Sequence, residues 1–435
     1  MNSERLARDI IEELRARGHQ ALLVGGCVRD LLLERKPKDW DVATSATPDE
    51  VAALFPGSQL VGAHFGVVLV RTGDAAVEVA TFRSDHDYRD GRHPASVTFE
   101  TDPREDVLRR DFTINALLLD PADGRVLDYV VGQQDLRDGV IRTVGEARRR
   151  FAEDHLRMLR AIRFAARFGF TIEAETMAAI QELASEIRNV SAERVRDELV
   201  RILTEGGARR GFELLDESGL LARILPEVAA MKGVAQPPEF HPEGDVWTHT
   251  LIMLELMGKP PLTLALGVLL HDVAKPPTFR VADRIRFDGH AELGARMTAE
   301  IMTRLRFSLD EIEAVRALVA GHMRFRDVQT MKESTLKRFL RTDNFDEHLE
   351  LHRIDCTSSH GQLDNWDYAR QKLLEVPPEQ LRPPRLLTGK DLIAQGYRPG
   401  PLFREILEAV ETGQLEGRLT TSEDALRFVR ENYGK

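Results

Sequence analysis

Asp39-Trp40-Asp41 sets two carboxylates two residues apart. On a strand such residues face the same way, with Trp40 and Val42 turned to the core. Carboxylates that close repel unless a divalent cation lies between them. Oxygen ligands of this kind suit Mg2+, which also takes substrate phosphates. Two ions ~3.5–4 Å apart would activate an attacking hydroxyl and neutralise a leaving pyrophosphate. Upstream, Gly25-Gly26-Cys27-Val28-Arg29-Asp30 closes a strand and opens a helix over Val28–Leu33. Glycines there let backbone amides approach an anion at a helix N-terminus. Alone, Gly-Gly is a tight turn and Asp-x-Asp a solvated strand edge; in this order and spacing they point to a metal-phosphate site. Glu78, between Val77 and Val79, faces away from both. It is either an exposed strand glutamate or a third acid that shares a metal or helps deprotonate an attacking 3′ hydroxyl.

A second group is rich in arginine. In Arg109-Arg110-Asp111-Phe112-Thr113-Ile114-Asn115-Ala116, Arg110 is suited to grip a triphosphate, and Asp111 and Asn115 to hold a ribose hydroxyl. The alternative is a surface ion-pair patch. Further on, Asp154, Arg157, Arg160 and Arg163 step by three, which predicts a mixed-charge ridge along one helix beside an apolar stripe of Leu156, Leu159 and Ile162. Residues 142–167 hold eight arginines, three acids and no lysine, a net +5 inside a chain of net −11. Planar, bidentate recognition of a nucleotide or RNA fits that bias. Cytosine and adenine both offer an exocyclic amine beside an unprotonated ring nitrogen. Asp154 can accept from the amine and Arg157 can donate to the ring nitrogen. Uracil and guanine present the reverse pattern and would leave both groups unpaired, at ~1–3 kcal/mol each.

These residues need rigid elements around them. The chain has 435 residues, 42% apolar and 30% charged, which excludes a disordered, collagen-like or coiled-coil protein. The spacing of Leu6, Ile10 and Leu14 predicts a helix over residues 3–17, stopped by Gly18. Strands are predicted at Ala21–Val24, Trp40–Thr44, Gly66–Arg71, Ala76–Arg83, Leu117–Leu119 and Val126–Val131. Beyond about residue 145 helical patterns dominate, at 149–167, 174–187, 191–204 and 210–217. Proline-bearing links at 237–242 and 376–384 bound a second helical block. The expected fold is α+β: a small head with a mixed sheet (1–140), a helical neck (141–225), a helical block (226–375) and a helical tail (376–435). Two cysteines, Cys27 and Cys356, exclude a disulfide framework and have no readable role; a reducing cytoplasm is the expected setting. The N-terminus lacks a signal-peptide core, and the longest apolar run, Leu262–Leu270, is far short of the ~20 residues that span a bilayer, so no membrane partner is expected.

The stretches Gly25–Asp30 with Lys38-Asp39-Trp40-Asp41-Val42-Ala43-Thr44, then Arg109–Ala116, then Glu153-Asp154-His155-Leu156-Arg157 together resemble the class II tRNA nucleotidyltransferase and bacterial poly(A) polymerase family. The resemblance covers about the first 220 residues. It continues weakly at Leu387-Thr388-Gly389-Lys390-Asp391-Leu392 and Pro399-Gly400-Pro401. It implies a nucleotidyltransferase head, a helical neck, and body and tail domains that hold tRNA. It implies Mg2+ at Asp39 and Asp41, and nucleotide contacts from Gly25, Gly26, Arg29, Arg110, Asp111, Asn115, Asp154, Arg157, Arg160 and Arg163. The implied reaction adds CCA to tRNA 3′ ends from CTP and ATP. Asp85–Phe99, with Tyr88, Arg89, Asp90, Gly91 and Arg92, is similar to the family's flexible loop, which members adding only CC lack. Leu60-Val61-Gly62-Ala63-His64-Phe65 lacks the basic pair expected of a poly(A) polymerase. An A-adding-only enzyme has motifs similar to these and stays open.

His249, His271-Asp272, His290, His322 and Asp355 lie in order through the second helical block. His-Asp followed by Val273-Ala274-Lys275 resembles the HD phosphohydrolase signature. Singly each histidine reads as structural. As an ordered set they suit a second divalent metal (Mg, Mn or Ni) and an activated water. Two further readings follow: a phosphatase or phosphodiesterase activity beside transfer, or an HD phosphohydrolase whose head serves to bind RNA. The oligomeric state has no signature in the sequence.

Overall fold

The structure is a computed structural model. It describes residues 2–61, 66–88 and 94–434, with the backbone alone at 86–88 and 94–95. Gly62 to Phe65, and Arg89 to Arg92 of the expected loop, lie outside the described residues. The chain divides into two units, Met1–Ala230 with Arg304–Phe307 and Met231–Thr303 with Ser308–Lys435.

In the first unit, α1 (Ser3–Ala16) starts at Asn2, whose side chain accepts from the Arg5 N–H. Its Leu6, Ile10 and Leu14 stripe is buried against a sheet. The strands are β1 (Ala21–Val24), β2 (Asp41–Thr44), β3 (Gln59–Leu60), β4 (Val67–Thr72), β5 (Ala75–Thr81), then β6 (Arg83–Tyr88) and β7 (Pro94–Phe99), and β8 (Leu118–Leu119) and β9 (Val126–Leu127). Seven of them form one mixed sheet in the order β3-β4-β5-β2-β1-β8-β9, with only β2 and β5 parallel. β6 and β7 pair as a separate antiparallel hairpin, where the sequence led us to expect a loop. Alternation along the strands buries both sheet faces. Leu23, Val42, Val77 and Val79 meet α1, whereas Leu22, Val24 and Ala43 meet Val107, Ala116 and Leu118.

Short helices α2 (Gly26–Leu32), α3 (Pro48–Leu54), α4 (Pro103–Leu108) and α5 (Gly132–Asp138) connect the sheet. α5 follows an unusual residue, Val131, a β-branched side chain at φ 59°. Asp128 holds it there by accepting from the N–H groups of Val130, Gly132 and Gln133. Gly132 packs so close that a Cβ would strike the Thr113 carbonyl oxygen.

The neck is α6 (Ala147–Glu153), α7 (Leu156–Phe168), α8 (Ala174–Leu183), α9 (Ala192–Thr204) and α10 (Ala208–Glu217). The predicted single helix 149–167 is broken: Asp154 has extended backbone, φ −150° and ψ 105°, and separates α6 from α7. A two-strand parallel pair, Val140–Ile141 with Thr171–Ile172, fastens the link to the end of α7.

The second unit is helical apart from a short hairpin, Arg280–Val281 with Ile285–Arg286. Its long helices include Val246–Leu256, Leu262–Leu270, His290–Arg304, Leu309–Gly321 and Phe345–Ser358. A separate cluster of Leu387, Leu392, Ile406, Val410 and Val429 forms the core of the C-terminal segment.

Candidate functional site

In the head, acids meet across the two parallel strands. β2 begins at Asp41, not Asp39; Asp39 sits exposed in the bend before it. The expected same-strand pair is therefore a bend residue and a first strand residue. Parallel register sets Asp41 opposite Glu78. Trp40, Val42, Val77 and Val79 are buried on the α1 side, so Asp41 and Glu78 share the other face. Burial, then Glu78 and Asp39, push the Asp41 carboxyl up to about 6 against the pull of Arg110. A divalent cation relieves such crowding. Groups of three ligand atoms all within 4.8 Å occur, among the described residues, only in the second unit. Mg2+ keeps waters and takes phosphate oxygens, so it needs only one or two carboxylates, and the head acids fit it on that count.

Gly25 turns the chain at φ +74°, and a Cβ there would lie 3.2 Å from Nη1 of Arg110. Arg110 is aimed by a residue the sequence reading passed over. Asp106, fully buried in α4, accepts from Arg109 Nε and Nη2 on one oxygen (2.9 and 2.6 Å). Its other oxygen accepts from Arg110 Nε and Nη2 (3.2 and 2.8 Å). Burial alone would raise the Asp106 carboxyl, but the charges of Arg110 and Arg109 hold it below its usual range. Nη1 of Arg110 lies against the Gly25 turn, and the Asp41 charge acts on the same guanidinium. The three- and four-residue spacing of Asp106 from Arg109 and Arg110 is the signal that could have found this clamp.

Arg29 is buried and committed. It donates through Nε and Nη2 to Asp30 (2.8 and 2.6 Å) and through Nη1 to Asn115 (2.6 Å). Its guanidinium also lies over Phe164 and Phe168. It fastens the Gly-Gly helix to the 113–115 turn and to α7. Asn115 in turn donates to Asp111 (3.2 Å). Arg160 donates to Asp111 through Nε and Nη2 (2.8 and 2.5 Å), and its charge overcomes burial to hold that carboxyl well below its usual range. Residues 109–111 therefore join the acid face of the sheet to α7.

The expected ridge needs correction. Asp154 is not on the helix; it lies in the break before α7. Its carboxylate accepts from Arg194 on α9, Nη1 to Oδ1 at 3.2 Å and Nη2 to Oδ2 at 2.7 Å, and from the Leu156 N–H at 3.1 Å. Arg157 donates to Glu153 (2.8 Å) and to the Arg150 carbonyl (2.9 Å). Arg163 is buried against Glu198 of α9 (2.6 Å) and stacks on Phe164. Arg157, Arg160 and Arg163 do share α7, and Asp154 stands one residue ahead of its N-cap.

In the second unit the structure gathers all six expected residues. His249, His271 and Asp355 form one close group, and Asp272, His290 and His322 another. His271 Nε2 is 3.1 Å from Asp272, and the Nε2 atoms of His290 and His322 are 3.2 Å apart. Nδ1 of His271, His290 and His322 each bonds a carbonyl three residues back, Val268, Phe287 and Val319. That fixes Nδ1 as the donor and leaves Nε2 as the lone-pair atom facing the group. Nε2 of His249, Nε2 of His271 and Oδ2 of Asp272 are buried without a hydrogen-bond partner. Asp272 lies close to His271 and Lys275 but at angles short of a hydrogen bond. Such orphaned atoms fit a divalent cation. Glu243, His241 and Gln236 were not singled out from the sequence, and Lys275 was named only as part of the His-Asp signature. Glu243 accepts from His249 Nδ1 (2.7 Å) and His241 (2.9 Å), and Lys275 lies 2.7 Å from Asp272 and donates to Gln236. Burial would lower His249, but Asp355 and Glu243 on either side raise it to about 9. Cation binding at Nε2 therefore competes with a proton. Burial pushes the thiols of Cys27 and Cys356 up to about 11 and about 12, so both are inert core residues.

The chain matches three family models in succession: the poly A polymerase head domain over residues 21–142, the probable RNA and SrmB-binding site of polymerase A over 169–232, and the HD domain over 245–355. It is 31% identical over 428 residues to the CCA-adding enzyme of Leuconostoc mesenteroides, covering 98% of this chain and 96% of that one. It is 45% identical to the CCA-adding enzyme of a Geobacillus species over 214 residues, 49% of this chain; there the match spans about half of the relative, 53%. A solved structure, the Bacillus stearothermophilus CCA-adding enzyme in complex with CTP, superposes with TM-score 0.75 at 26% identity, covering 98% of this chain and 97% of that one. Among the described residues no helix is long and apolar enough to cross a membrane.

Proposed function

The chain belongs to the family of CCA-adding enzymes, and on that premise we propose that it adds C, C and A to tRNA 3′ ends from CTP and ATP, without a nucleic-acid template. We read 1–140 as the catalytic head, 141–225 as the neck, 226–375 as the HD domain and 376–435 as a tail that helps hold tRNA. In the reaction the terminal 3′ oxygen bonds to the α-phosphorus as the bond to the β,γ-pyrophosphate breaks. Asp39 and Asp41 would hold Mg2+, which when bound supplies charge neutralisation at the triphosphate and a more acidic hydroxyl. Glu78, on the same face as Asp41, accepts the hydroxyl proton. Arg110, braced by Asp106, offers Nη1 to phosphate oxygens above the Gly25-Gly26 turn. Asp154 accepts from the exocyclic amine of C or A while Arg157 donates to the ring nitrogen. Arg29, Asp111, Asn115, Arg160 and Arg163 brace these groups through the bonds described above.

One observation carries this reading: residues 109–111 tie the acid face of the sheet to the helix behind Asp154 through Arg110 and the Asp111–Arg160 pair. The CTP held by the Bacillus stearothermophilus relative agrees with it. The test offers tRNAs ending before, within and after the first two cytidines, with each nucleoside triphosphate in turn. Stepwise C, C, A products support the proposal. Addition of A alone supports an A-adding enzyme, untemplated A runs a poly(A) polymerase, and equal use of UTP refutes the base-reading pair.

The buried Nε2 atoms favour a second activity, metal-dependent hydrolysis of phosphate esters at His249, His271, Asp272, His290, His322 and Asp355. A divalent metal there (Mg, Mn or Ni) would supply an activated water at neutral pH. Metal analysis and phosphatase assay of His271→Ala with Asp272→Ala tests it. Unchanged metal content and hydrolysis would remove this activity and leave transfer untouched.

A further inference from the structure

Beside the histidines and aspartates gathered in the second unit, one buried donor is left over. We infer that Gln236 is a ligand-binding residue of that site, its amide NH2 donating to an oxygen of the phosphate group that a cation at Asp272 would hold; this rests on the hydrolytic reading above.

The orientation of the amide is fixed. Lys275 is buried and its ammonium only donates, so the Gln236 atom 2.6 Å from Nζ is the oxygen. That turns the other arm of the amide away from Lys275. Gln236 is 4% exposed, and its Nε2 is buried with no hydrogen-bond partner among the described residues. An NH2 group left unpaired in such a place costs stability, and a ligand that brings an acceptor removes the cost.

The same ammonium lies 2.7 Å from Oδ2 of Asp272. One Nζ atom thus joins the amide to a metal-facing carboxylate, and the two oxygens stand no more than two hydrogen-bond lengths apart. One phosphate group matches that span. The other orphaned atoms, Nε2 of His249, Nε2 of His271 and Oδ2 of Asp272, suit a cation and offer nothing to the negative oxygens a cation brings. Gln236 supplies the donor that this set lacks. Being neutral, it grips an anion without placing a further positive charge beside the cation.

The segment that carries Gln236 is tied to a helix bearing one of the six residues. The Gly233 N–H donates to Asp245 Oδ2 (2.5 Å), and the Val246 N–H donates to the Val234 carbonyl (3.0 Å). Asp245 also caps the helix Val246–Leu256 through the Thr248 N–H (2.8 Å), and His249 lies on that helix. Lys275 is held from the other side by Phe287, whose ring centre is 5.2 Å from Nζ and 6.5 Å from the ring centre of His290.

The test uses the full chain loaded with Mn2+. Calorimetry gives the Kd of inorganic phosphate in wild type, Gln236→Glu and Gln236→Met, and thermal melts check folding. The share of Mn2+ and phosphate binding lost in His271→Ala with Asp272→Ala is assigned to this site. Gln236→Glu keeps an oxygen facing Lys275 and sets a second oxygen where the NH2 stood. It raises the phosphate Kd about 10–100-fold, as expected when a hydrogen bond to a charged group is lost. Its Mn2+ affinity does not fall. Gln236→Met removes the donor without adding a charge and raises the phosphate Kd about 10-fold. CTP incorporation is unchanged in both. A wild-type phosphate Kd in both variants overturns the role of Gln236 and leaves the hydrolytic reading standing. Mn2+ affinity that falls in step with phosphate affinity marks a structural brace and overturns the role as well. A wild type that binds no Mn2+ or no phosphate at this site overturns the reading itself, and the inference with it. Should Gln236→Met not fold, Gln236→Glu decides alone: a weakened phosphate affinity supports the role and an unchanged one refutes it.

Discussion

Asp106→Asn is the sharpest test of how the head aims Arg110, the arginine proposed to grip phosphate. Each Asp106 oxygen takes a fork of two N–H groups, one from Arg109 and one from Arg110. Asparagine keeps one oxygen and sets an NH2 against the other fork. Two charge-assisted bonds are lost at ~1.5–3 kcal/mol each, so about 3 kcal/mol is a lower bound. Breaking a buried ion pair costs about 3–5 kcal/mol by independent reckoning, which agrees. For a unit of this size the head should melt roughly 6–12 °C lower. Because the folded Asp106 carboxyl lies below its unfolded value, its contribution is fully present above about pH 4 and fades as pH falls further. The melting difference between wild type and variant should therefore narrow in acid. The KM for CTP should rise together with the loss of stability, since Nη1 of Arg110 is no longer held over Gly25. Differential scanning calorimetry from pH 3 to 8 and single-nucleotide incorporation read both effects. A melting shift under 2 °C, or an unchanged KM in a destabilised protein, would refute the argument.

Glu78→Gln removes a like charge from the neighbour of Asp41, so the Asp41 midpoint should move down from about 6 in metal-free protein, read by carbon NMR of the carboxyl. Loss of Mg2+ affinity as pH falls should shift to lower pH in step, while nucleotide incorporation drops. Glu243→Ala frees His249 Nδ1 and should weaken divalent-metal binding in the second unit about 10–100-fold, measured by calorimetry with Mn2+ or Ni2+, without altering CTP incorporation. Unchanged affinity would make Glu243 a bystander. Gly132→Ala forces a Cβ into the Thr113 carbonyl and should destabilise the head by about 1–3 kcal/mol, seen as a lower melting temperature.

Side chains with specific chemistry were legible; the groups that brace them were not. His249, His271, Asp272, His290, His322 and Asp355 could be singled out because imidazole and carboxylate in that order have few other uses, and the structure gathers all six. Asp41 and Glu78 could be named, but their adjacency is a matter of strand register, which the sequence does not carry over a separation of 37 residues. Alternation turned each acid away from its apolar neighbours, and the register then puts the two on one face. The break at Asp154 was hidden because Leu156, Leu159 and Ile162 continue a helical stripe with no Gly or Pro to interrupt it. Arg194 was hidden for the same reason as Glu198: each finds its partner 40 or 35 residues away, on another helix. The β6–β7 hairpin was missed because Arg83-Ser84-Asp85-His86-Asp87-Tyr88 has no apolar alternation; its antiparallel register with Pro94–Phe99 is not written in either segment.

The segment 109–111 has a practical consequence for anyone wishing to alter nucleotide preference. Its three side chains answer to Asp106 on one helix and Arg160 on another, and its main-chain carbonyls accept from Arg150 and from the Val144 N–H. A library randomised there would mostly yield misassembled proteins. Variation at Glu153 and Arg194, which bond the proposed base readers Arg157 and Asp154 from outside, would leave this junction whole.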